Sequence, residues 1–186
     1  MTEVQYVRVE YRRKPLPIER DRRGPTLILT NSVVESVGRL LPKRVRRKYH
    51  ENVLYIAGIL EPMRRTGLTV IAPKSETGPG HYRTDRTSHS EVLDVLGELG
   101  MVVVAQVHCH PGEGVYHSDA DDDLAFVRAE GHWSIVVPHY GRKGMLPLAQ
   151  CGFHRLHEGD FAYLSDEAVE ARVKVIPASI RLTENI

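Results

Sequence analysis

The chain has 186 residues, of which 41% are hydrophobic and 26% are charged, and its formal net charge is +1. This composition, with 15 Gly and 11 Pro, is that of a globular protein and excludes collagen-like, low-complexity and disordered chains. We therefore expect a single domain over 1–186, with a core at about 27–156, an N-terminal strand and a C-terminal extension.

Apolar runs, charges and cysteines together predict a cytoplasmic protein without a membrane partner. The longest apolar run, 101–107, is much shorter than the roughly 18 residues of a membrane span. The first 14 residues carry charges where a signal peptide has its apolar stretch. Two cysteines, Cys109 and Cys151, are too few for a secreted disulfide scaffold, so we expect reduced thiols.

The first quarter of the chain predicts a strand, a loop and a capped helix. Residues 4–11 have the β-rich alternation of a strand, and the segment 14–23, with two prolines, is typical of a loop. A short apolar piece at 27–29 leads into a helix over 30–41, which its first residues, Thr-Asn-Ser, can each cap. Pro42 is expected to end or bend this helix, with a second helical turn over 42–49.

The rest of the chain alternates strands with helices. Up to Gly100 we expect strands at 51–60 and 68–72 joined by 61–67, a polar surface loop at 74–87 and a helix from Ser88 to a stop at Gly100. A buried strand at 101–107 follows, then a loop at 111–117 and a helix at 119–130. The last expected elements are strands at 133–137 and 148–156, a short helix at 166–171 and a strand at 173–176. This order predicts an α/β fold with a central mixed β-sheet and helices on its faces.

The near-neutral net charge conceals a basic first third. Residues 1–65 hold 15 Lys/Arg and 7 Asp/Glu, whereas the remainder holds 10 and 17. Five of the basic residues form a cluster at 43–48. A like-charge run of this kind is typical of a solvated helix face. If the cluster instead binds a partner, an acidic protein surface and a nucleic acid are equal alternatives.

Two histidines near the end of the buried strand predict a metal site. Successive side chains of a strand point to opposite faces, so His108 and His110 project together while Cys109 faces the other way, where we expect it to be a small core residue. Asp121 lies in the first turn of the following helix and can supply a carboxylate oxygen. Two imidazoles, one carboxylate and one position open to water are the ligand pattern of a catalytic Zn²⁺ site.

A hydrolytic zinc site also needs a base for the attacking water. Zinc lowers the pKa of a water that it binds, but another group must accept the proton. The chain offers Glu51, at the mouth of the strand expected at 51–60, and Glu61 as a second choice.

The pattern around the two histidines resembles the signature of the JAMM (JAB/MPN+) zinc isopeptidase family. In that signature, His-x-His-Pro is followed by six residues, then Ser, two residues and Asp, and all five positions are present: His108, His110, Pro111, Ser118 and Asp121. By the composition of this chain, a chance match is expected in about one chain of this length in ten thousand. The upstream Glu and closing Gly of the family's strand correspond to 51–58, which departs from many members at Leu54.

The resemblance implies a fold, a mechanism and a class of substrate. The fold would be the cytidine-deaminase-like JAB/MPN fold, with one zinc ion held by His108, His110 and Asp121. Glu51 would take the proton from the attacking water and pass it to the leaving amine, and Ser118 would hydrogen-bond the developing oxyanion. The bond cleaved would follow the C-terminal glycine of a ubiquitin-like protein, whose tail would lie extended beside a strand edge, flanked by 74–90.

The short chain resembles the compact bacterial members that accompany ubiquitin-like conjugation systems, several of them linked to defence against phage. Its partners would then be a ubiquitin-like protein or its conjugates and the cognate E1/E2-like conjugation enzymes. Processing of a precursor and deconjugation of a target stay open at this point. So do hydrolysis of a sulfur-carrier adduct, a non-catalytic scaffold of the same fold and, as the least favoured alternative, nucleic-acid binding through the cluster at 43–48.

The remaining polar residues near the motif carry weaker expectations. Ser118 and Asp121 also match a capping box, a role that can coexist with catalysis. His117 is expected to be an exposed loop histidine rather than a contact to the site or substrate, and Trp133 a core residue. Glu113 and Tyr116, in the same loop, have equal claims to contact the site or the substrate, and the sequence does not discriminate between them. The remaining residues considered are interpreted as scattered polar positions or as helix-dipole carboxylates outside the site: His132, His139, His154, His157, Asp119, Asp122 and Asp123.

Overall fold

An eight-stranded mixed sheet forms the centre of the computed structural model, which describes residues 24–178. In spatial order its strands are β11 (Asp160–Tyr163), β10 (Gly152–His157), β9 (Trp133–Val137), β8 (Val102–Cys109), β4 (Val53–Glu61), β5 (Arg64–Ile71), β1 (Thr26–Thr30) and β12 (Val173–Ile176). Pairing is parallel for β8 with β9 and for β1 with β5 and β12, and antiparallel elsewhere. The expected α/β fold with a central mixed sheet is confirmed. The strand expected at 4–11 and the loop expected at 14–23 lie outside the described residues.

Two hairpins project from the sheet where the sequence predicted a helical turn and a loop. They are β2 (Lys43–Val45) with β3 (Lys48–His50), and β6 (Glu76–Gly78) with β7 (His81–Arg83). The prediction of a helical turn over 42–49 was wrong, because Arg46 and Arg47 take left-handed backbone conformations, with φ of 47° and 69°, and close a two-residue hairpin turn. The basic cluster therefore lies on a hairpin and not on a helix face.

Four helices accompany the sheet within residues 24–178: α1 (Asn31–Leu40), α2 (Arg86–Leu99), α3 (Asp119–Asp123) and α4 (Asp166–Arg172). The side chain of Thr30 caps α1 by accepting a hydrogen bond from the Val33 backbone. Asp85, rather than the expected Ser88, caps α2, because the Ser88 hydroxyl donates to the Lys74 carbonyl at 2.7 Å. The expected stop at Gly100 is confirmed by its left-handed conformation.

The helix expected at 119–130 is wrong in length, since α3 ends at Asp123. Four of its five residues are aspartates, which have low helix propensity. After α3, tertiary contacts of Phe126 stabilise a non-helical conformation of the chain. The Phe126 backbone N–H donates to Oε1 of Gln106 at 3.2 Å, and the Phe126 ring stacks on Tyr55 with centroids 4.7 Å apart.

Glycines inside strands account for two further corrections. The expected connection at 61–67 is only Pro62 and Met63, because β5 continues through Gly67. A Cβ at Gly67 would lie 2.5 Å from Cγ2 of Ile56, so glycine allows close packing there and does not mark a loop. The strand expected at 148–156 begins at Gly152, after a 3₁₀ turn at Leu148–Gln150.

Two hydrophobic clusters cover opposite faces of the sheet. The larger one includes Leu54 and Ile56 of β4 with Cys109 of β8, and the smaller one includes Tyr55 of β4 with Tyr82 of β7. Cys109 is fully buried in the larger cluster, and Trp133 is buried beside it, so both core expectations are confirmed. His108, the neighbour of Cys109, faces the side of Tyr82.

None of the helices between residues 24 and 178 is both long enough and apolar enough to cross a membrane.

Candidate metal centre

The end of β8 brings two histidine side chains to one point, as strand alternation predicts. His108 lies in β8 and His110 follows it directly, and their Nε2 atoms are 3.2 Å apart. Asp121, in α3, turns back towards them. Its Oδ1 lies 3.3 Å from Nε2 of His108 and its Oδ2 lies 3.4 Å from Nε2 of His110. Within residues 24–178 these three side chains form the group of possible metal ligands, with all ligand atoms within 4.8 Å of one another.

The charge distribution at this point favours a cation. Burial alone raises the pKa of Asp121, but His108 and His110 outweigh burial and hold that pKa far below its ordinary value. Asp121 therefore presents an ionised carboxylate at a site where its exposed fraction is only 6%. A buried carboxylate beside two imidazole nitrogens is well compensated by a metal ion that all three side chains ligate.

The tautomer of His110 also fits a metal ligand. Nδ1 of His110 lies 3.0 Å from the Gly114 carbonyl oxygen, which only accepts hydrogen bonds. Nδ1 therefore carries the proton, and the Nε2 lone pair faces His108 and Asp121. Histidine ligands are commonly oriented through a carbonyl in this way. Two imidazole nitrogens and one carboxylate oxygen suit Zn²⁺ and leave one tetrahedral position open.

Ser118 and Asp121 form the capping box that the sequence predicted. The Asp121 backbone N–H donates to Oγ of Ser118 at 3.2 Å. In return, the Ser118 backbone N–H and hydroxyl each donate to Oδ2 of Asp121 at 2.7 Å. These bonds orient the Asp121 carboxylate towards the histidines. The start of α3 therefore serves the metal centre as well as the helix.

The pairing of β4 with β8 brings Glu51 near His108, although the two residues are 57 positions apart in the sequence. β4 pairs antiparallel with β8 so that Val53 lies opposite His108. The Cys109 backbone N–H then donates to the Asn52 carbonyl at 3.2 Å. Glu51 precedes Asn52 and is 8% exposed, and its backbone N–H donates to the Gly78 carbonyl at 2.8 Å.

Burial sets the protonation of the Glu51 carboxyl. Desolvation raises its pKa from 4.5 to about 7, with His110 lowering the pKa and Asp121 raising it. The second choice from the sequence, Glu61, lies at the far end of β4 in an exposed ion pair with Arg64 at 3.4 Å. Of the two predicted glutamates, only Glu51 is near the histidines and Asp121.

His117 is buried, contrary to the expectation of an exposed loop histidine. Its exposed fraction is 7%, and its ring lies 5.3 Å from the ring of His108. Nδ1 of His117 lies 2.7 Å from Oδ1 of Asp122, and Nε2 lies 2.8 Å from Oγ of Ser134. Asp122 lies in the first turn of α3, as expected of a helix-dipole carboxylate, and it also contacts the His117 ring.

His154 is the second histidine that the sequence interpretation missed. It lies in β10, and its ring packs on the ring of His117 with centroids 4.1 Å apart. The sequence interpretation treated His154 and His132 as scattered polar positions, and the structure buries both, with His132 4% exposed. His154 has no motif spacing to His110, and only the pairing of β10 with β9 and of β9 with β8 brings it near. The adjacency of His117 to Ser118 was the one available signal for His117.

Glu113, Tyr116 and the segment 74–90, which the sequence also placed near the site, differ in exposure and in location. Glu113 is exposed, whereas Tyr116 is half-buried with its ring 4.7 Å from that of Tyr163. The segment 74–90 lies next to Glu51 through the Gly78 carbonyl, and Tyr140 donates its hydroxyl to the Pro79 carbonyl at 2.8 Å. Residues 74–90 therefore flank the site, with a hairpin in place of the expected loop.

Comparisons with known proteins concern a short stretch of the sequence and the overall fold. No protein-family model matches the chain. A stretch of 48 residues, 26% of this chain, is 43% identical to "Probable metalloprotease y4jG" of Sinorhizobium fredii, of which the match spans 29%. The chain thus matches less than a third of the length of that relative.

Among solved structures, two align with most of the chain. The solution structure of protein DSY2949 from Desulfitobacterium hafniense has a TM-score of 0.57 and 16% identity over 82% of this chain and 95% of that one. The crystal structure of AF2198, a JAB1/MPN domain protein from Archaeoglobus fulgidus, aligns with a TM-score of 0.40 and 14% identity over 82% of this chain and 99% of that one. The chain thus shares the fold of DSY2949. In this chain, the fold brings His108, His110 and Asp121 together at a buried point where a metal ion can bind.

Proposed function

We propose that the chain is a zinc-dependent peptidase of the JAMM (JAB/MPN+) type, which hydrolyses the peptide or isopeptide bond after the C-terminal glycine of a ubiquitin-like protein. The observation that carries the proposal is the convergence of His108, His110 and Asp121, the three motif positions that the family uses for zinc. The partial match to a protein named as a probable metalloprotease supports the same class of reaction.

The three candidate ligands and Ser118 have distinct roles in this reaction. His108, His110 and Asp121 would hold the ion through the nitrogens and oxygens that already face one another. The bound zinc would supply Lewis acidity for water and for the scissile carbonyl. The Ser118 hydroxyl, next to the Asp121 carboxylate, would turn to donate a hydrogen bond to the oxyanion that develops on that carbonyl.

Glu51 is suited to move the proton. A general base works best when its pKa lies near the operating pH, and burial raises the pKa of Glu51 to about 7. Its carboxylate would accept the proton of the attacking water. The same carboxyl would then deliver this proton to the leaving amine, which completes the hydrolysis of one peptide or isopeptide bond.

The surroundings of Glu51 also support an extended substrate tail. The β6–β7 hairpin approaches Glu51 through the Gly78 carbonyl and contacts Tyr140 through the Pro79 carbonyl. A glycine-ended tail would lie along this hairpin and pair with its backbone, as peptides do in β-augmentation. The partners would be a ubiquitin-like protein or its conjugates, and the E1/E2-like enzymes that form them.

Purified protein and two variants test this function. We expect about one zinc per chain, measured by mass spectrometry of the metal, in the wild type and in Glu51→Gln, and loss of zinc in Asp121→Ala. Cleavage of a ubiquitin-like protein that carries a C-terminal extension should fall about 10²- to 10⁴-fold in Glu51→Gln, since only the proton transfer is removed. A wild type that binds no zinc, or a Glu51→Gln variant with full activity, would contradict the proposal.

A further inference from the structure

A relay of three polar side chains, two of them buried and one half-buried, lies beside the candidate metal centre, and the proposed reaction does not use it. It consists of Asp122, His117 and Ser134, joined at 2.7 Å and 2.8 Å through the two ring nitrogens of His117. The Asp122 carboxylate only accepts hydrogen bonds, so Nδ1 of His117 carries the proton. With Nδ1 as the donor, Nε2 can accept a hydrogen bond from the Ser134 hydroxyl.

The relay has the residue types of a serine-hydrolase triad but not the access. Ser134 lies in β9 and is fully buried, so no substrate carbonyl can reach its hydroxyl. The relay instead fixes the His117 ring at both nitrogens. The ring also packs on His154 and Phe161, with centroids 4.1 and 4.9 Å away, so its position is determined on several sides.

The His108 ring lacks the kind of anchor that His110 has. Nδ1 of His110 is held by the Gly114 carbonyl at 3.0 Å, whereas Nδ1 of His108 is buried and has no hydrogen-bond partner among the residues that the structure describes. Apart from the contacts of its Nε2 with His110 and Asp121, the His108 ring must therefore be oriented by packing. Tyr82 and His117 provide it, with ring centroids 5.4 and 5.3 Å from His108.

We propose that His117 is a positioning residue, which the Asp122–His117–Ser134 relay locks against His108 so that Nε2 of His108 stays aimed at the metal ion. This inference rests on the metal site of the proposed function and adds a residue to its support. Groups that are hydrogen-bonded to a metal ligand usually account for 10- to 100-fold in metal affinity, and we use this range as the scale for the packed His117 ring. Loss of His117 should therefore weaken zinc binding although His117 touches no metal.

The test measures zinc binding, which requires no knowledge of the substrate. We expect His117→Ala to raise the zinc dissociation constant, measured by competition with a chelator, by about 10- to 100-fold. The visible spectrum of the Co²⁺-substituted protein should also change in intensity, because the geometry of the His108 nitrogen is altered. Ser134→Ala, which keeps the His117 ring but removes one of the two hydrogen bonds that lock it, should raise the zinc dissociation constant by about tenfold.

A matched pair of substitutions at Asp122 distinguishes the effect on zinc affinity of losing the hydrogen bond to His117 from the effect of losing the carboxylate charge. Asp122→Asn and Asp122→Ala both remove the carboxylate charge, but only asparagine can still accept the hydrogen bond from Nδ1 of His117. We expect Asp122→Asn to bind zinc more tightly than Asp122→Ala. His132→Ala, at another buried histidine outside the site, controls for general loss of stability and should leave zinc affinity unchanged.

The outcomes distinguish this inference from the proposed function. If the wild type binds zinc and Glu51→Gln is inactive, but Ser134→Ala and His117→Ala keep the wild-type zinc affinity and cobalt spectrum, the positioning role is refuted and the peptidase proposal stands. Equal zinc affinity of Asp122→Asn and Asp122→Ala would also refute the relay. If the wild type binds no zinc, both proposals fail.

Discussion

Histidine has different roles in this protein according to which ring nitrogens are bonded. His110 is oriented by a backbone carbonyl, and His117 is held at both nitrogens by side chains. His132 differs from both, since its buried Nε2 has no hydrogen-bond partner in the described part of the chain. Desolvation, with a smaller effect of Arg65, lowers the pKa of His132 to about 4. His132 is therefore neutral in the folded protein at neutral pH.

This burial predicts an acid-sensitive contribution to stability. Because the pKa of His132 is near 6.5 in the unfolded chain and about 4 in the fold, the unfolded state takes up a proton first as pH falls. Between pH 7.5 and 5.0 the free energy of unfolding should fall by about 2 kcal/mol on account of His132. Urea unfolding of the zinc-free wild type and of His132→Leu at both pH values measures this difference. Identical losses in the two proteins would contradict it.

At the level of elements, the β2–β3 hairpin has an unfavourable turn. Arg46 and Arg47 both have positive φ, which costs a residue with a side chain about 1–2 kcal/mol. Two-residue hairpin turns of this handedness favour Asn and Gly instead. Tyr49 of β3 stacks on Tyr140, with ring centroids 5.9 Å apart, and the Tyr140 backbone N–H donates to the His110 carbonyl at 2.7 Å. Packing next to the metal centre therefore helps to hold the hairpin in this conformation.

Replacement of Arg47 by glycine should stabilise the protein. Glycine removes the left-handed strain but increases the entropy of the unfolded chain, so we expect a gain of about 1 kcal/mol in the free energy of unfolding. Arg47→Ala is the matched control, since it removes the same charge and keeps the strain. Denaturant unfolding of the three proteins checks the prediction, and an equal gain in both variants would assign the effect to charge.

At the scale of the whole molecule, the candidate metal centre joins elements that are distant in the chain. His108 belongs to the middle of the sheet, Asp121 to a short helix beyond a loop, and Glu51 to the segment before β4. An ion that binds all its ligands only in the folded state stabilises the entire fold by mass action. The same ion should do little for a chain that lacks one of the ligands.

Zinc should therefore raise the melting temperature of the wild type. At a free zinc concentration 100-fold above the dissociation constant the stabilisation is about 2.7 kcal/mol. For a chain of this length that corresponds to about 5–10 °C. Calorimetry of the metal-free protein with and without added zinc measures the shift. Asp121→Ala should show almost none, and a shift of equal size in that variant would mean that zinc binds elsewhere.

The amino-acid sequence by itself determined the part of the site that is local in the chain. Alternation along one strand places His108 and His110 on one face, and a helix that begins a few residues later returns Asp121 to them. These relations depend on covalent spacing and local geometry, so they are visible without the fold. The α/β class was predictable for the same reason, since the periodicity of each apolar run is a local property.

Only the tertiary structure decided which other residues surround the ligands. His117 is buried because Ser134 of β9 bonds its ring, and His154 of β10 covers it. The extent of α3 was likewise decided by the contacts that Phe126 makes with β4 and β8. These contacts follow from the lateral order of the strands. That order depends on burial and hydrogen bonding between distant segments, for which the spacing of residues along a single chain carries no signal.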